Sequence, residues 1–456
     1  MIEDDRVGIP RGHKNVPTLH DWLSYLESLH PKTIALGLER VAQVKQRLNL
    51  QPGFPIITVG GTNGKGSVCA MLEAMLHAAG YRVGCYTSPH LLDYNERVRI
   101  AKKQASDAEL CASFEQIEQV RCGGTDVGRD SSRHALVGMN PDLQIPLTYF
   151  EFGTLAAMQC FIEHKVDVAI LEVGLGGRLD AVNVFDSDCA VVTSVDIDHT
   201  DYLGDTREKI AYEKAGIFRK GKVAVFGDRD MPEVIASEAQ RIGAELWRIG
   251  NEFGFTRHQG QWDFHGVNGA RNSLPLPALR GAYQLNNASA ALAALDALKN
   301  KIPVSMEAVR RGLVEVALPG RFQVLPGSPQ IILDVAHNPH AAKSLAQNLA
   351  ALPPARTFAV FAMLKDKDMA GVVRALKDQV DVWLLAGIAA PRGATAAELA
   401  SVLAAEGVEG SIQEFSTIEN ALHHACNLAS ENDRIAAFGS FYTVAEVMRV
   451  RGLRYA

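Results

Sequence analysis

Ten residues, Thr58-Val-Gly-Gly-Thr-Asn-Gly-Lys-Gly-Ser67, constrain this chain more than any other stretch. They follow the apolar run Phe54 to Val59 and open into Val68 to Ala79, whose apolar residues recur at helical spacing. The order is strand, glycine-rich turn, helix. Glycines at 60, 61, 64 and 66 let backbone N–H groups approach a phosphate closely, and a helix N-terminus adds unpaired donors and the positive end of its dipole. Lys65 can reach terminal phosphates, and the Ser67 hydroxyl can bind magnesium. The general phosphate-loop pattern places Ser or Thr directly after the lysine. Here Gly66 intervenes, and Val59 stands where the first glycine would be. A tight turn without a ligand is the alternative; lysine, hydroxyl and strand-to-helix context together favour a phosphate.

The 456 residues suggest two to three domains with ample chain to bury cores. A net charge of -6 offers no broad field for nucleic acid or an anionic membrane. Seven scattered cysteines, none spaced C-x-x-C, argue against a disulfide framework or structural zinc and for reduced thiols. The N-terminal residues are polar, without the apolar core of a signal peptide, and no apolar run approaches a membrane span. The expectation is a soluble cytoplasmic protein.

Leu19 to Leu50 reads as two helical pieces broken at His30-Pro31, and the intervening Pro31 to Arg40 is either packing or part of a ligand wall. Arg82 to Tyr86, Val166 to Val173 and Cys189 to Val195 read as strands, the last two as continuous apolar runs suited to parallel strands covered on both faces. Helical stretches cover Asp107 to Val120 and Ala288 to Leu298. The polar 121–142 segment reads as an exposed loop. Alternation restarts after Leu318-Pro-Gly-Arg321, with strands predicted at Ile331 to Asp334, Phe358 to Met363, Val382 to Ala386 and Ile435 to Phe438. The fold class is therefore α/β: a phosphate-loop domain with a doubly wound, mostly parallel sheet over 1–320, and a smaller Rossmann-like α/β domain over 321–456.

In such sheets ligands lie at the carboxyl ends of the strands, where the candidate motifs fall. Glu172 ends a buried strand, so it either pairs with Arg178 or binds a cation. His199 stands at the end of the next strand as a magnesium ligand or an orienting group. Lys214 reads as a solvated lysine by composition. Beside magnesium it would be driven towards the neutral amine, the form that takes up carbon dioxide as a carbamate. Asp334, His337 and Asn338 fall at a strand-to-helix junction, where Asn338 also suits a helix cap with Pro339 in the first turn. Arg321 at the hinge can reach phosphates.

Gly61-Thr-Asn-Gly-Lys-Gly-Ser67, Thr87-Ser-Pro-His-Leu91, Leu147-Thr-Tyr-Phe-Glu-Phe-Gly153, Glu172 to Asp180, Glu213 to Ile217, Leu318 to Arg321 and Asp334 to Pro339 together resemble the folylpolyglutamate synthases, relatives of the Mur ligases. Within that family the set is most similar to the bacterial bifunctional dihydrofolate synthase/folylpolyglutamate synthases. The resemblance implies an ATP-dependent ligase that phosphorylates a pterin-bearing carboxylate and joins it to L-glutamate. By motif, Thr62, Asn63, Gly64, Lys65, Gly66 and Ser67 would hold the ATP phosphates, with Asn287, Arg321 and Asp334 as further nucleotide contacts. Ser88, Glu172, His199 and a carbamylated Lys214 would bind Mg2+, and His337 would lie near the reacting groups. Lys65, Lys214 and His337 are thus the catalytic candidates. Thr148, Tyr149 and Phe150, with Thr33, Ile34 and Ala35, would line the pterin site, where aromatic surface suits a flat ring.

By resemblance alone, potassium is a further candidate cation and a monomer the expected state. Substrates would be dihydropteroate, reduced folates and L-glutamate, with no nucleic acid or membrane partner. The 121–142 segment is longer and more polar than the family's pattern, either a solvated insertion or part of the substrate entrance. Two other readings are a monofunctional folylpolyglutamate synthase and a nucleotide-gated binding module without ligation. The presence of Glu172, His199 and Lys214 speaks against the second.

Overall fold

The computed structural model describes residues 17–30, 34–123 and 144–454. Thr33 and residues 124–142 of the polar segment lie outside the described residues. The apolar runs of the first part become strands β1 (Ile56–Gly60), β2 (Val83–Tyr86), β3 (Val98–Ile100), β4 (Lys103–Gln104), β5 (Val168–Glu172), β6 (Cys189–Val192), β7 (Val223–Phe226) and β8 (Glu245–Arg248). They form one sheet in the order β4-β3-β2-β5-β1-β6-β7-β8. From β2 to β8 the pairing is parallel, and β3 and β4 add an antiparallel edge. The central strand β1 lies between β5 and β6, with Val59 in register with Glu172 and Val191. The carboxyl ends of three neighbouring strands therefore open at one place.

A small antiparallel sheet of β9 (Gly254–Arg257), β10 (Gln261–Gly266) and β11 (Gly269–Pro275) lies outside the expected architecture. Its signal was the alternation of Trp262 and Phe264, both buried, ahead of Asn268-Gly269 at a hairpin turn. The later strands are β12 (Gln323–Leu325), β13 (Gln330–Asp334), β14 (Thr357–Phe361), β15 (Val382–Ala386), β16 (Ser411–Phe415) and β17 (Arg434–Phe438). Their sheet runs β12-β13-β17-β14-β15-β16, parallel except for β12.

The helix Lys65–Ala78 continues the glycine-rich loop, and every residue from Ser67 to Leu76 is buried. A helix apolar on all faces needs partners on all faces. Besides the sheet, it packs against the helices Gln284–Ala297 and Met306–Glu315. The second contact is a backbone approach: a Cβ placed on Gly312 would stand 2.6 Å from the Met75 Cα and N. Gly312→Ala is therefore expected to destabilise the protein by about 1–3 kcal/mol through overpacking, read as a lower urea midpoint of unfolding. An unchanged midpoint would show that the two helices can separate without cost.

Candidate active site

The loop wraps the carboxyl end of β1 as the sequence requires. Gly64 caps the helix Lys65–Ala78 with φ +88, a left-handed conformation, and a Cβ there would lie 2.6 Å from Asn287 Oδ1. Thr62 stitches the loop to the end of β6: its N–H donates to Ser194 O (2.9 Å), its hydroxyl donates to Asp196 O (3.1 Å), and that hydroxyl accepts the Asp196 N–H (3.0 Å). Lys65 folds back over the loop and donates to the carbonyls of Gly61 (3.1 Å) and Thr62 (3.3 Å). Gly66 has ordinary backbone torsions, but a Cβ there would point towards Leu318, Arg321 and Glu172 at 3.6–4.0 Å. Its hydrogen keeps open the space in front of those charged groups.

A cleft of about 700 Å³ begins at this loop and runs between the two large sheets. Thr62 to Ser67, Ser88, Glu172, His199, Lys214, Asn287, Arg321, Asp334 and His337 all line it, as do Ile34, Ala35, Thr148 and Phe150. Tyr149 does not. It packs edge-on against Tyr94, with ring centroids 5.8 Å apart and the Arg97 guanidinium 5.4 Å from its own centroid.

The pairing of Glu172 with Arg178 does not occur. Arg178 donates to Glu238 Oε2 (2.7 Å) and stacks on Tyr212, whereas Glu172 Oε2 accepts the Ser88 N–H (3.0 Å). Burial raises the Glu172 carboxyl above its usual range, against Lys65, the Ser88 N–H and Arg321. Lys214 is 4% exposed, and among the described residues its Nζ has no hydrogen-bond or ion-pair partner. Burial and the Lys65 ammonium push it down to about 7.

An amine without a protein partner that opens on the same cleft as Glu172 fits a group that supplies oxygen and positive charge together. Among the described residues no three His, Cys, Asp or Glu side chains converge as a metal cage. The donors at hand, the Ser88 hydroxyl, Glu172 and His199, therefore suit magnesium, which keeps waters and phosphate oxygens in its shell, better than a protein-caged ion.

The far wall comes from the second sheet. Asn338 caps the helix Pro339–Ala350 by accepting the Ala341 N–H (2.9 Å), with Pro339 in the first turn. Its amide also exchanges hydrogen bonds with that of Asn63 (3.2 Å each way) and donates to Asp198 (3.1 Å). Lys367 donates to Asp198 Oδ1 at 2.9 Å and stands 3.3 Å from His199 Nε2. Burial would raise the Asp198 carboxyl, but His199, Lys367 and His337 outweigh it and hold it below the usual range.

Burial pushes His337 down to about 4, and it donates its Nδ1–H to the Val335 carbonyl (2.8 Å), leaving Nε2 as an acceptor 4.0 Å from Asp198 Oδ2. Asp334 accepts the N–H groups of Phe322 (2.9 Å) and Ala336 (2.8 Å), and burial raises it to about 6. Arg321, half-buried beside it, stacks on Phe441. Sequence reasoning missed Asp198 and Lys367 as site residues. Their signal was position: Lys367 follows β14 in the charged run Lys365-Asp-Lys-Asp368, at a strand's carboxyl end.

Phe150 stands against Tyr86, with centroids 5.8 Å apart, and closes on Gly174, where a Cβ would lie 2.7 Å from its ring. Thr148 and Glu151 form a capping box at the start of the helix Tyr149–Glu163. Glu151 also pairs with Arg40 (2.9 Å), which donates to Ala35 O (2.7 Å) and so holds the 34–37 stretch over the cleft.

Two domain families match this arrangement: the Mur ligase middle domain over residues 131–295 and the Mur ligase glutamate ligase domain over 320–441. The class is thus a Mur-type ligase. A dihydrofolate synthase/folylpolyglutamate synthase of Escherichia coli (strain K12) is 46% identical over 444 residues, covering 97% of each chain. The structure of E. coli FolC in complex with DHPP and ADP superposes with a TM-score of 0.87 at 46% identity, covering 96% of this chain and 98% of that one. A bifunctional folylpolyglutamate synthase/dihydrofolate synthase with Mn, AMPPNP and L-glutamate bound gives a TM-score of 0.84 at 47% identity, covering 96% of this chain and 100% of that one. The chain belongs to the dihydrofolate synthase/folylpolyglutamate synthase family.

Gly66→Ala separates folding from ligand binding. The substitution improves helix propensity by about 1 kcal/mol and strains no torsion, so the unfolding midpoint holds or rises. The added methyl faces Arg321 and Glu172, so the KM for ATP rises. An unaltered KM would mean that phosphate does not occupy the space in front of residue 66.

Proposed function

We propose that the chain is an ATP-dependent ligase that joins L-glutamate to dihydropteroate, forming dihydrofolate, and adds further glutamates to reduced folates. The observation that carries this reading is one continuous cleft lined by the phosphate loop, the Phe150 wall and His337 of the second sheet. A pterin-bearing carboxylate, a nucleotide phosphate and an attacking amine can thus meet in one enclosed space.

The substrate carboxylate oxygen attacks the γ-phosphorus of ATP, and the bond to the bridging oxygen breaks to release ADP. The acyl phosphate then takes the amine of L-glutamate at its carbonyl carbon and expels phosphate, leaving an amide. Lys65 would leave its loop carbonyls for the phosphates, with Thr62 to Ser67 supplying backbone donors and Asn287 and Arg321 further contacts. Asp334, whose oxygens are occupied by backbone N–H groups, would hold the Arg321 hinge in position and present its remaining lone pairs to the nucleotide. His337 Nε2, neutral at pH 7, would accept a proton from the attacking amine. Ser88, Glu172, His199 and Lys214 as a carbamate would hold magnesium, which when bound offsets negative charge on the transferring phosphate.

Ile34, Ala35, Thr148 and Phe150 would line the pterin. We assign residues 1–320 to the nucleotide and pterin domain and 321–456 to the glutamate ligase domain. Described residues of both large sheets line the cleft within one chain, which is consistent with a monomer as the working unit. The net charge of -6 and the lack of any helix, among the described residues, long and apolar enough to cross a membrane support work on small molecules in the cytoplasm.

Purified protein with saturating ATP and L-glutamate is expected to release phosphate with dihydropteroate and with tetrahydrofolate. Release with tetrahydrofolate alone would leave a monofunctional folylpolyglutamate synthase, and release with neither would refute ligation. Lys214→Ala is expected to abolish ligation, with partial recovery on adding short carboxylic acids that restore an oxygen donor. Turnover near wild type in that variant would remove the carbamate from the mechanism.

A further inference from the structure

The cleft contains a cation whose partner is not supplied by the protein. Arg97 lies in the connection from β2 to β3, and its carbonyl accepts the Thr87 N–H (2.9 Å), one residue before Ser88. Its guanidinium donates Nε–H to His90 Nδ1 (2.9 Å) and stands 5.3 Å and 5.4 Å from the ring centroids of Tyr94 and Tyr149. Among the described residues it has no carboxylate partner.

Several other cations of the cleft are engaged, although Lys214 and the exposed Arg280 have no partner among the described residues. Lys367 is paired with Asp198, Arg392 with Asp366, and Arg321 sits beside Asp334. Its chain neighbour Glu96 does not serve Arg97, being taken up by the N–H groups of Leu91, Leu92 and Asp93. Arg449 of the helix Phe441–Val450 also lines the cleft, and among the described residues its ion-pair partner is Glu446 on its own helix (3.1 Å). Both arginines act on His90, which burial and their charge hold neutral.

The two acceptor substrates differ in one way that such a site can read. Dihydropteroate carries a single carboxyl, and the reaction consumes it. A folate carries the carboxyls of its glutamate, of which one is activated and the other stays an anion inside the cleft. That anion needs a fixed donor pair, and a guanidinium supplies two parallel N–H groups. We propose that Arg97 binds the unreacted carboxylate of the glutamate tail, and so is a specificity residue for folates over dihydropteroate. The inference rests on the proposed function, and Arg449 extends the same cationic wall from the second domain.

The test is steady-state phosphate release by the full chain, with each acceptor in turn at saturating ATP. Arg97→Gln is expected to raise the KM for tetrahydrofolate relative to that for dihydropteroate by about tenfold, the size of a lost charge-assisted hydrogen bond. Arg97→Lys keeps the charge without the paired donors and should give an intermediate ratio. An equal rise for both acceptors would make Arg97 a support of the aromatic wall only. A rise confined to the KM for L-glutamate would assign it to the incoming amino acid. Either result overturns the proposal. If Arg97→Gln does not fold, a wild-type ratio in Arg97→Lys overturns it as well. Wild-type protein inactive with both acceptors would instead refute the ligase reading itself.

Discussion

Complete burial of the helix Lys65–Ala78 is the constraint on which the rest of this structure depends. Val68, Met71, Leu72, Met75 and Leu76 are each fully enclosed, and each contributes about 1.5–3 kcal/mol by leaving water. Any one of them outweighs the roughly 1 kcal/mol that Gly66 costs in the first turn. The loop can therefore keep glycines where phosphate must approach, because helix stability is secured further along. The same burial fixes the helix against β1, β2 and β5 and against the helix that carries Asn287. The positive end of its dipole is aimed into the cleft before any ligand arrives.

Charge in the cleft follows a different logic from charge on the surface. Glu172 and Asp334 are raised towards their protonated forms, while Lys214, His337 and Arg321 are lowered. Burial is the leading cause in each case, so these groups are displaced towards neutrality by lost water. Groups displaced in this way are suited to ligands that bring phosphate, carboxylate and a divalent cation into the cleft. Asp198 is the exception, its carboxylate paired with Lys367 and lowered in spite of its burial. It ties the carboxyl end of β6 to the second sheet, so the geometry of the reacting groups depends on contacts that cross from one sheet to the other.

Much of this was legible in the sequence. The buried parallel strands are continuous apolar runs, and the phosphate loop is specified by Gly64, Lys65 and Ser67 in a strand-to-helix context. The cap at Asn338 was readable from Asn-Pro at a strand end, although its second task, joining Asn63 to Asp198, was not. A hydrogen bond spanning 275 positions leaves no trace in local spacing. Lys367 and Arg97 were illegible for the same reason, since a cation's significance lies in which carboxylates surround it. Tyr149 shared its motif with Phe150, yet neighbouring positions on a helix point about 100° apart, and only one of the pair can face the cleft. The small sheet of β9 to β11 was missed because its strands are largely exposed, with one apolar face carried by Trp262, Phe264 and Leu274.

One site that serves two acceptors must meet a geometric demand. The pterin ring is common to both, but in a folate the reacting carboxyl lies a glutamate further from the ring than in dihydropteroate. If the ring kept one seat and the phosphate another, only one acceptor length could react. A cleft of about 700 Å³ between separate sheets relaxes that demand. The ring wall at Phe150 and the phosphate loop belong to the first sheet, while His337, Asp334 and Arg449 ride on the second. Small relative motion of the two sheets can accommodate the extra length without altering the phosphate seat, because the loop is anchored by the buried helix and not by the second sheet. The polar contacts of Asn63 and Asp198 with Asn338 and Lys367 suit such motion. They are side-chain hydrogen bonds and one ion pair that can be exchanged for water at modest net cost, whereas the apolar packing behind the loop cannot.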